Sequence, residues 1–275
     1  MDEASDRELD ASSDRGFVTA LARGLTVIQA FDRDHPELTL SQVAARTGLS
    51  PATARRFLWT LHDLGYVGSE QKRFFLKPKI VTLGSAFLDA GRIEEVILPF
   101  LREVVAETGD SSSLGVLEGA DVLYVANFSG QRRVRLTAGV GAGFPAYAVS
   151  MGRVLLGALS PDALDRYFAT VKPVQLSRST VTNEAELRRL IAKAHKDGFS
   201  AVINDLEEGL GAVAVPVRLK GEVVASLNCS AFAPRATVKE ITSARLPVLR
   251  RVAANLEDAI RRVPALSRSF RPASI

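Results

Sequence analysis

The first part of the chain carries apolar residues at helical spacing. Leu21, Leu25, Ile28 and Phe31 recur every three or four positions, which predicts a helix over residues 19–31. The charged stretch DRDHPE contains a proline and ends this helix. A new element is therefore expected beyond it.

Two capping signals predict two further helices. Thr39 and Gln42 form a Thr-x-x-Gln capping box that opens a short helix, which Gly48 closes. Ser50 followed by Pro51 is an N-cap with proline in the first helical position, so another helix is expected to run to about residue 64. The apolar positions expected to be buried in this last helix are Ala54, Phe57, Leu58 and Leu61.

A small hairpin is predicted after these helices. Residues 66–67 and 74–76 have the pattern of two short strands, with a turn over residues 69–73 between them. Three helices followed by a hairpin are typical of a winged helix-turn-helix, which binds DNA. A three-helix packing module without a nucleic-acid role is the alternative.

The pattern of the remaining chain alternates between helices and strands. Helical spacing over residues 80–88 and 96–104 predicts linker helices, whose apolar faces are candidates for a dimer seam. Further helices are predicted over residues 150–159, 183–196 and 238–262. This mixture predicts an α+β fold with a largely antiparallel sheet. The predicted strands are SLGVLEG, DVLYVANF, RVRLTAGV, GFSAVIN, GAVAVPVRL and EVVASLNCS.

Charge changes along the chain in step with these elements. The net charge is −5 over residues 1–14, +5 over residues 15–80, close to zero over residues 81–238 and +5 over residues 239–275. A basic block followed by a neutral one is expected when a nucleic-acid-binding domain precedes a sensing domain, although scattered surface charge would give the same balance. The predicted segments are a flexible acidic tail (1–14), a DNA-binding domain (15–78), linker helices (79–108), an effector-binding domain (109–265) and a C-terminal tail (266–275).

Composition excludes several classes of protein. The 275 residues are 47% hydrophobic and 24% charged, which is ordinary for a globular protein. No apolar run approaches the roughly 18–20 residues of a membrane helix, and the N-terminus lacks a secretory signal. The single cysteine, Cys229, excludes an intramolecular disulfide and a multi-thiolate metal site. We therefore expect a cytoplasmic protein without a metal or cofactor and with no membrane partner.

The helix that begins at Ser50 is the predicted recognition helix. Its N-terminus offers unpaired amides to a phosphate, and Arg55 and Arg56 differ by about 100° around its axis. We expect Arg55 to contact a base in the major groove and Arg56 to contact a phosphate or to brace the turn. A solvated helix face is the alternative for either arginine. The predicted DNA contacts are Ser50, Pro51, Ala52, Thr53, Arg55, Arg56, Lys72 and Arg73.

Two features of the second domain suggest a small-molecule site. A glycine-rich loop, Gly139-x-Gly141-x-Gly143, leads to Ser150, which we expect to cap a helix beginning near Met151. Such a helix N-terminus suits a carboxylate. Asn228 and Ser230 lie two positions apart in a strand and so share one face, where buried polar groups would need partners.

An enzyme is not expected. His35, His62 and His195 are far apart and lack ligand-like spacing. A Cys229/His195 nucleophile and base is conceivable, but nothing local supports it. A purely architectural DNA-binding protein is the other alternative.

Taken together, the motifs resemble those of IclR-family transcriptional regulators. The resemblance rests on RGLTVIQAF, LTLSQVAARTGLSPATARRFLWTLHDLGYV and LKPKIVTLG in the first part of the chain, and on PAYAVSMGRVLLGAL, DLEEGLGAVAVPV and GEVVASLNCSAF in the second. It implies a winged-helix domain, a GAF-like effector domain, and homodimers or dimers of dimers on palindromic double-stranded DNA operators, with RNA polymerase as a further partner. The sign of regulation stays open.

The motifs PAY-x-x-SMGRVLL and Ala-x-Leu-Asn resemble the aromatic-catabolism branch of that family. Its members respond to 4-hydroxybenzoate, protocatechuate, muconate or 3-oxoadipate, so the resemblance implies a small aromatic acid or dicarboxylate effector and genes of the 3-oxoadipate pathway. A response to an unrelated carboxylate, or no response to any ligand, is the alternative. The effector contacts that the resemblance implies are Ala146, Tyr147, Ser150, Met151, Asp205, Leu210, Asn228 and Ser230.

A dicarboxylate would require a cation, and Arg133, Arg135 and Arg153 are candidates. Asp205 stands where many relatives carry Glu, and it would repel an anion unless it faced solvent. The sequence leaves this conflict open.

Overall fold

The chain divides into two compact units. We call Met1–Phe87 the N-terminal unit and Leu88–Ile275 the C-terminal unit. The predicted acidic tail and the last five residues lie outside the part of the chain that the structure describes. The computed structural model describes residues 16–32, 34–130, 139–232 and 236–270.

The N-terminal unit contains the predicted helices and their caps. The Thr39 hydroxyl accepts the N–H of Gln42 at 3.3 Å and the Gln42 side chain accepts the N–H of Thr39 at 2.9 Å, so the capping box is confirmed. Gly48 ends that helix at a φ of 67°, which favours glycine. Ser50 caps the next helix by accepting the N–H of Thr53 at 3.2 Å. The elements are α1 Thr19–Gln29, β1 Glu37–Thr39, α2 Leu40–Thr47, α3 Pro51–Asp63, β2 Val67–Glu70 and β3 Arg73–Leu76.

The small sheet has one strand more than predicted. Its order is β1-β3-β2, with antiparallel pairing throughout. Three residues are too few to show strand alternation, so β1 left no sequence signal. The β2–β3 turn is shorter than predicted, because only Gln71 and Lys72 form it, with φ angles of 47° and 65°. Positive φ at both residues matches the twist of a tight hairpin.

The C-terminal unit is built on a six-stranded antiparallel sheet. Its strand order is β6-β5-β4-β9-β8-β7. The division between the units falls within α4 Val81–Ala90. The other elements are α5 Ile93–Val96, α6 Leu98–Thr108, β4 Ser111–Glu118, β5 Asp121–Phe128, β6 Gly143–Pro145, α7 Ser150–Leu156, α8 Pro161–Thr170, α9 Glu184–Asp197, β7 Ser200–Ile203, β8 Leu210–Leu219, β9 Glu222–Phe232, α10 Val238–Arg261 and α11 Pro264–Ser269.

Helices cover both faces of this sheet. On one face α7 packs against β4, β5, β8 and β9, and α9 packs against α7. On the other, α6 and α10 pack together, and the Cys229 thiol contacts Thr108 at the end of α6. Successive residues of a strand point to opposite faces, so Asn228 and Cys229 face different layers. We call the face covered by α7 the inner face.

Two predictions for this unit need correction. Helix α8 is missing from the sequence prediction, although Ser160 followed by Pro161 gives it the same cap signal as α3. Its buried residues Ala163, Tyr167 and Phe168 pack on the α7 cluster. Residues 266–270 are not a free tail, because Leu266 in α11 and Phe270, which follows it, are almost completely buried. Most of the predicted strand RVRLTAGV lies outside the described residues. Within the described part of the chain, no helix is long and apolar enough to cross a membrane.

Candidate functional site

Helix α3 presents one side to the core and the other to solvent. Ala54, Leu58 and Leu61 are buried, which fixes the inward direction. At about 100° per residue, Arg56 lies about 165° around the axis from that stripe and Arg55 about 90°. Both side chains are exposed. Arg56 therefore points most directly away from the core, and Arg55, which the sequence predicts to contact a base, points sideways from the buried stripe.

The other predicted DNA contacts surround these arginines. Ser50 is at the N-terminus of α3, where its hydroxyl already serves as the cap, and it also lies 2.9 Å from the Thr53 hydroxyl. Lys72 occupies the tight turn of the hairpin and Arg73 is the first residue of β3. Pro51, Ala52, Lys72 and Arg73 are exposed.

In the C-terminal unit, the start of α7 lies over the inner face at Gly115. A Cβ atom at Gly115 would lie 3.3 Å from the thioether sulfur of Met151. Tyr124 is the cross-strand partner of Gly115, and its ring packs edge-on against Phe144 at 5.1 Å between centroids. Strand alternation places Tyr124 on one face of the sheet but does not show that the start of a helix covers that face. Tyr124 is therefore absent from the predicted effector contacts.

Asn228 lies on the same face and hydrogen-bonds the backbone at a point where the strand pairing is irregular. An extra residue in β5 shifts the pairing after Leu114. The Asn228 side-chain oxygen accepts the N–H of Ser113 at 2.9 Å, and its amide hydrogen-bonds the Tyr124 hydroxyl. The Ser113 hydroxyl in turn donates to Asn127 at 2.9 Å. Asn228 therefore has a structural role besides any contact with an effector.

Burial dominates the ionisation of Tyr124. The ring is 6% exposed, and burial raises the pKa of its hydroxyl, although the bond from Asn228 opposes the shift. The hydroxyl stays protonated and can donate one hydrogen bond. Tyr124 is thus a neutral donor on the inner face.

Ser150 does not cap α7 as predicted. The helix begins at Ser150 itself, Val149 precedes it as N-cap, and no side chain caps the helix. Ser150 is 1% exposed, and its hydroxyl has no hydrogen-bond partner among the described residues. A buried hydroxyl without a partner costs about 1–3 kcal/mol, so this position suits a ligand that supplies one.

Asp205 faces neither solvent nor an open anion site. Its carboxylate pairs with Arg153, and both side chains are at most 9% exposed. Burial raises the pKa of Asp205, and Arg153 opposes the shift. The Arg153 Nε also donates to the Tyr147 carbonyl at 3.2 Å. Arg153, one of the three candidate cations for an effector, is therefore already paired with Asp205.

The remaining predicted effector contacts differ in what their side chains do. The Tyr147 hydroxyl is occupied by the backbone of Val174, donating at 3.0 Å and accepting at 3.1 Å. Ala146 is fully buried, and its carbonyl lies 2.0 Å from where a Cβ at Gly152 would be. Leu210 and Ser230 lie half-buried on the inner face together with Asn228. Arg133 and Arg135 lie outside the described residues.

Comparison with known families accounts for both units. The profile described as "IclR helix-turn-helix domain" matches residues 20–71. The profile described as "Bacterial transcriptional regulator IclR C-terminal" matches residues 85–258. The chain belongs to the IclR family. This membership confirms the resemblance found in the motifs and the α+β fold class, and IclR-family proteins are transcriptional regulators.

Individual relatives of this IclR-family chain confirm the resemblance to the aromatic-catabolism branch. A Pca regulon regulatory protein of Pseudomonas putida is 35% identical over 86% of this chain and 82% of the relative. A p-hydroxybenzoate hydroxylase transcriptional activator of Acinetobacter baylyi is 30% identical over 89% of this chain and 92% of the relative. A crystal structure of an IclR homolog from Microbacterium hydrocarbonoxydans, complexed with 4-hydroxybenzoate, is 27% identical with a TM-score of 0.73, and covers 88% of this chain and 99% of that one.

Proposed function

We propose that this IclR-family regulator binds a palindromic operator as a homodimer or a dimer of dimers, under the control of a small carboxylate bound on the inner face. The genes it controls serve the degradation of aromatic compounds, as the names of its relatives suggest. Two winged-helix domains on half-sites about one or more turns of DNA apart, roughly 10 base pairs each, suit such an operator. A regulator of this kind acts in the cytoplasm, where the bacterial chromosome and RNA polymerase are.

The hydroxyl of Ser150, which has no hydrogen-bond partner in the described part of the chain, carries the proposal of an effector site. It lies next to Met151, which covers Gly115 opposite Tyr124. Tyr124 adds a second neutral donor, and the Tyr124–Phe144 pair with the Met151 thioether provides a soft, aromatic surface. An aromatic acid would satisfy these donors with its oxygens and pack its ring against this surface.

The charges favour an effector with one carboxylate over one with two. Arg153 is the one cation buried to this extent among the described residues, and Asp205 neutralises it. Each carboxylate buried without a cation costs free energy that neutral donors repay only in part. Monoanions such as 4-hydroxybenzoate therefore fit the described residues better than 3-oxoadipate or muconate.

A ligand panel tests this proposal. Thermal unfolding of the full chain is followed with 4-hydroxybenzoate, protocatechuate, muconate and 3-oxoadipate, and every shift is confirmed by calorimetry. A ligand at 100 times its dissociation constant stabilises the chain by about 2.7 kcal/mol. We expect a shift of several degrees with an aromatic acid. Stabilisation by a dicarboxylate alone would contradict the preference for one charge, and no stabilisation by any compound would contradict the aromatic effector.

Two buried serines give a matched pair of variants. Ser150→Ala removes a hydroxyl that no described residue contacts by a hydrogen bond, so we expect unchanged stability and effector affinity lowered by about tenfold. Ser112→Ala removes a hydroxyl that donates to the Asn228 carbonyl at 2.7 Å from the opposite face, so we expect about 1 kcal/mol less stability and unchanged affinity. Calorimetry and urea denaturation measure both quantities. Equal effects of the two variants on affinity would remove Ser150 from the site.

We infer that the chain acts by binding and not by catalysis. The Cys229 thiol is fully buried, and burial raises its pKa to about 11, so it stays protonated at neutral pH. This state is the opposite of an activated nucleophile. We expect native protein at pH 8 to react with a thiol reagent at least about a hundredfold more slowly than protein in urea. Equal rates would reopen the nucleophile hypothesis.

A further inference from the structure

Trp59 is an aromatic residue that the recognition helix leaves exposed. It is the only tryptophan of the chain, and it is 41% exposed on α3. Its ring packs edge-on against Phe74 of β3 at 5.8 Å and against His62 at 5.0 Å between centroids. These contacts hold one edge of the indole and fix its orientation, so the exposed part is presented in a defined direction.

The exposed part of the indole lies on the side of α3 that faces away from the core. Trp59 lies about 130° around the axis from the stripe of Ala54, Leu58 and Leu61. Arg55 and Arg56 precede it by four and three positions and therefore neighbour it on the helix surface. The exposed indole thus continues the surface that the two arginines begin.

The charges around Trp59 suit a polyanion. Lys72 in the turn and Arg73 at the start of β3 add two exposed cations on the hairpin that carries Phe74, the packing partner of the indole. The acidic residues of α3 and the hairpin are Asp63, one turn later on α3, and Glu70, which pairs with Arg73. The cations outnumber these carboxylates.

We propose that Trp59 contacts the DNA backbone: the exposed indole lies against a deoxyribose, and its Nε1–H donates to a phosphate oxygen. Indole N–H is a donor without acceptor function, and side-chain donors to phosphates position a protein on the duplex. The contact rests on the DNA binding proposed above. Because the indole packs on Phe74 of the hairpin, its position is fixed relative to both the recognition helix and the hairpin.

The single tryptophan reports on this contact directly. A duplex selected by the chain from a random-sequence pool is labelled, and its anisotropy and the tryptophan emission are followed in one titration. We expect the emission to change with the midpoint of the anisotropy, and quenching by neutral acrylamide to fall at least about twofold because the DNA covers the ring. Rising anisotropy with unchanged emission and quenching overturns the contact alone. No rise in anisotropy with any duplex overturns the DNA binding as well.

Two substitutions separate the contact from the packing. Trp59→Phe keeps a ring against Phe74 and lacks the N–H, so we expect affinity to fall by about fivefold for selected and random duplexes alike. Tyr66→Phe, which alters an aromatic residue near Lys79 in the same unit, is the control and should bind like the wild type. Wild-type affinity of the Trp59→Phe variant overturns the hydrogen bond to phosphate.

Discussion

Replacing Asp205 by alanine is expected to lower the free energy of unfolding by about 3–5 kcal/mol, because it leaves the guanidinium of Arg153 buried without its counter-ion. Arg153 is not able to swing into water easily, since its Nε also holds the Tyr147 carbonyl. Urea denaturation followed by circular dichroism measures the loss.

An exposed ion pair of the same unit provides the control. Asp165 contacts Arg188 at 2.7 Å, but its side chain is 67% exposed, so Asp165→Ala should cost less than about 1 kcal/mol. The double variant Arg153→Met with Asp205→Leu should recover most of the stability lost in Asp205→Ala, because it leaves no charge unpaired. A loss below 1 kcal/mol in Asp205→Ala would show that Arg153 reaches solvent.

The second large effect concerns the arginines of α3. Arg56→Ala should relax the preference for one base pair of the operator by about 1–3 kcal/mol, because Arg56 points most directly away from the buried stripe. Arg55→Ala should weaken binding to all duplexes alike and reduce the slope of log K against log salt by about 1. Binding to a library of single-base operator variants at several salt concentrations measures both effects.

Each arginine variant is the control for the other. Both side chains are exposed and neither is part of the buried stripe, so both variants should keep the stability of the wild type. If Arg55→Ala alone relaxes the base preference, the assignment made from the sequence is right and the direction of the side chains in the structure does not decide the base contact.

The sequence predicts best the features that depend on neighbouring residues. The capping box of Thr39 and Gln42, the turn at Gly48 and the N-cap of Ser50 each involve residues at most three positions apart, so they are visible in the sequence. The alternation of β9 likewise predicts that Asn228 and Ser230 share a face. These features recover the recognition helix and one face of the proposed effector site.

Features that depend on distant residues were missed or wrongly predicted. Arg153 and Asp205 are 52 positions apart, and only the folded chain shows that they neutralise each other. Ser150 has the residue type and position of a cap, but the extended backbone of Val149 makes Val149 the N-cap. In the sequence, Tyr124 has the pattern of an ordinary strand residue. Only the structure shows that Met151 packs over Gly115, the cross-strand partner of Tyr124.

Control by an effector requires coupling between the proposed effector site and operator binding. Coupling of this kind requires the effector to bind one of two states of the protein more tightly, and it acts equally in both directions. This coupling can be measured without knowing which conformational change carries it.

The most direct test measures both affinities with one preparation. The affinity for the selected duplex is measured with and without a saturating ligand from the panel, and the affinity for that ligand with and without saturating duplex. We expect both affinities to change by the same factor, about 5–150-fold. If the chain binds ligand and duplex but neither affinity changes, the effector does not control operator binding.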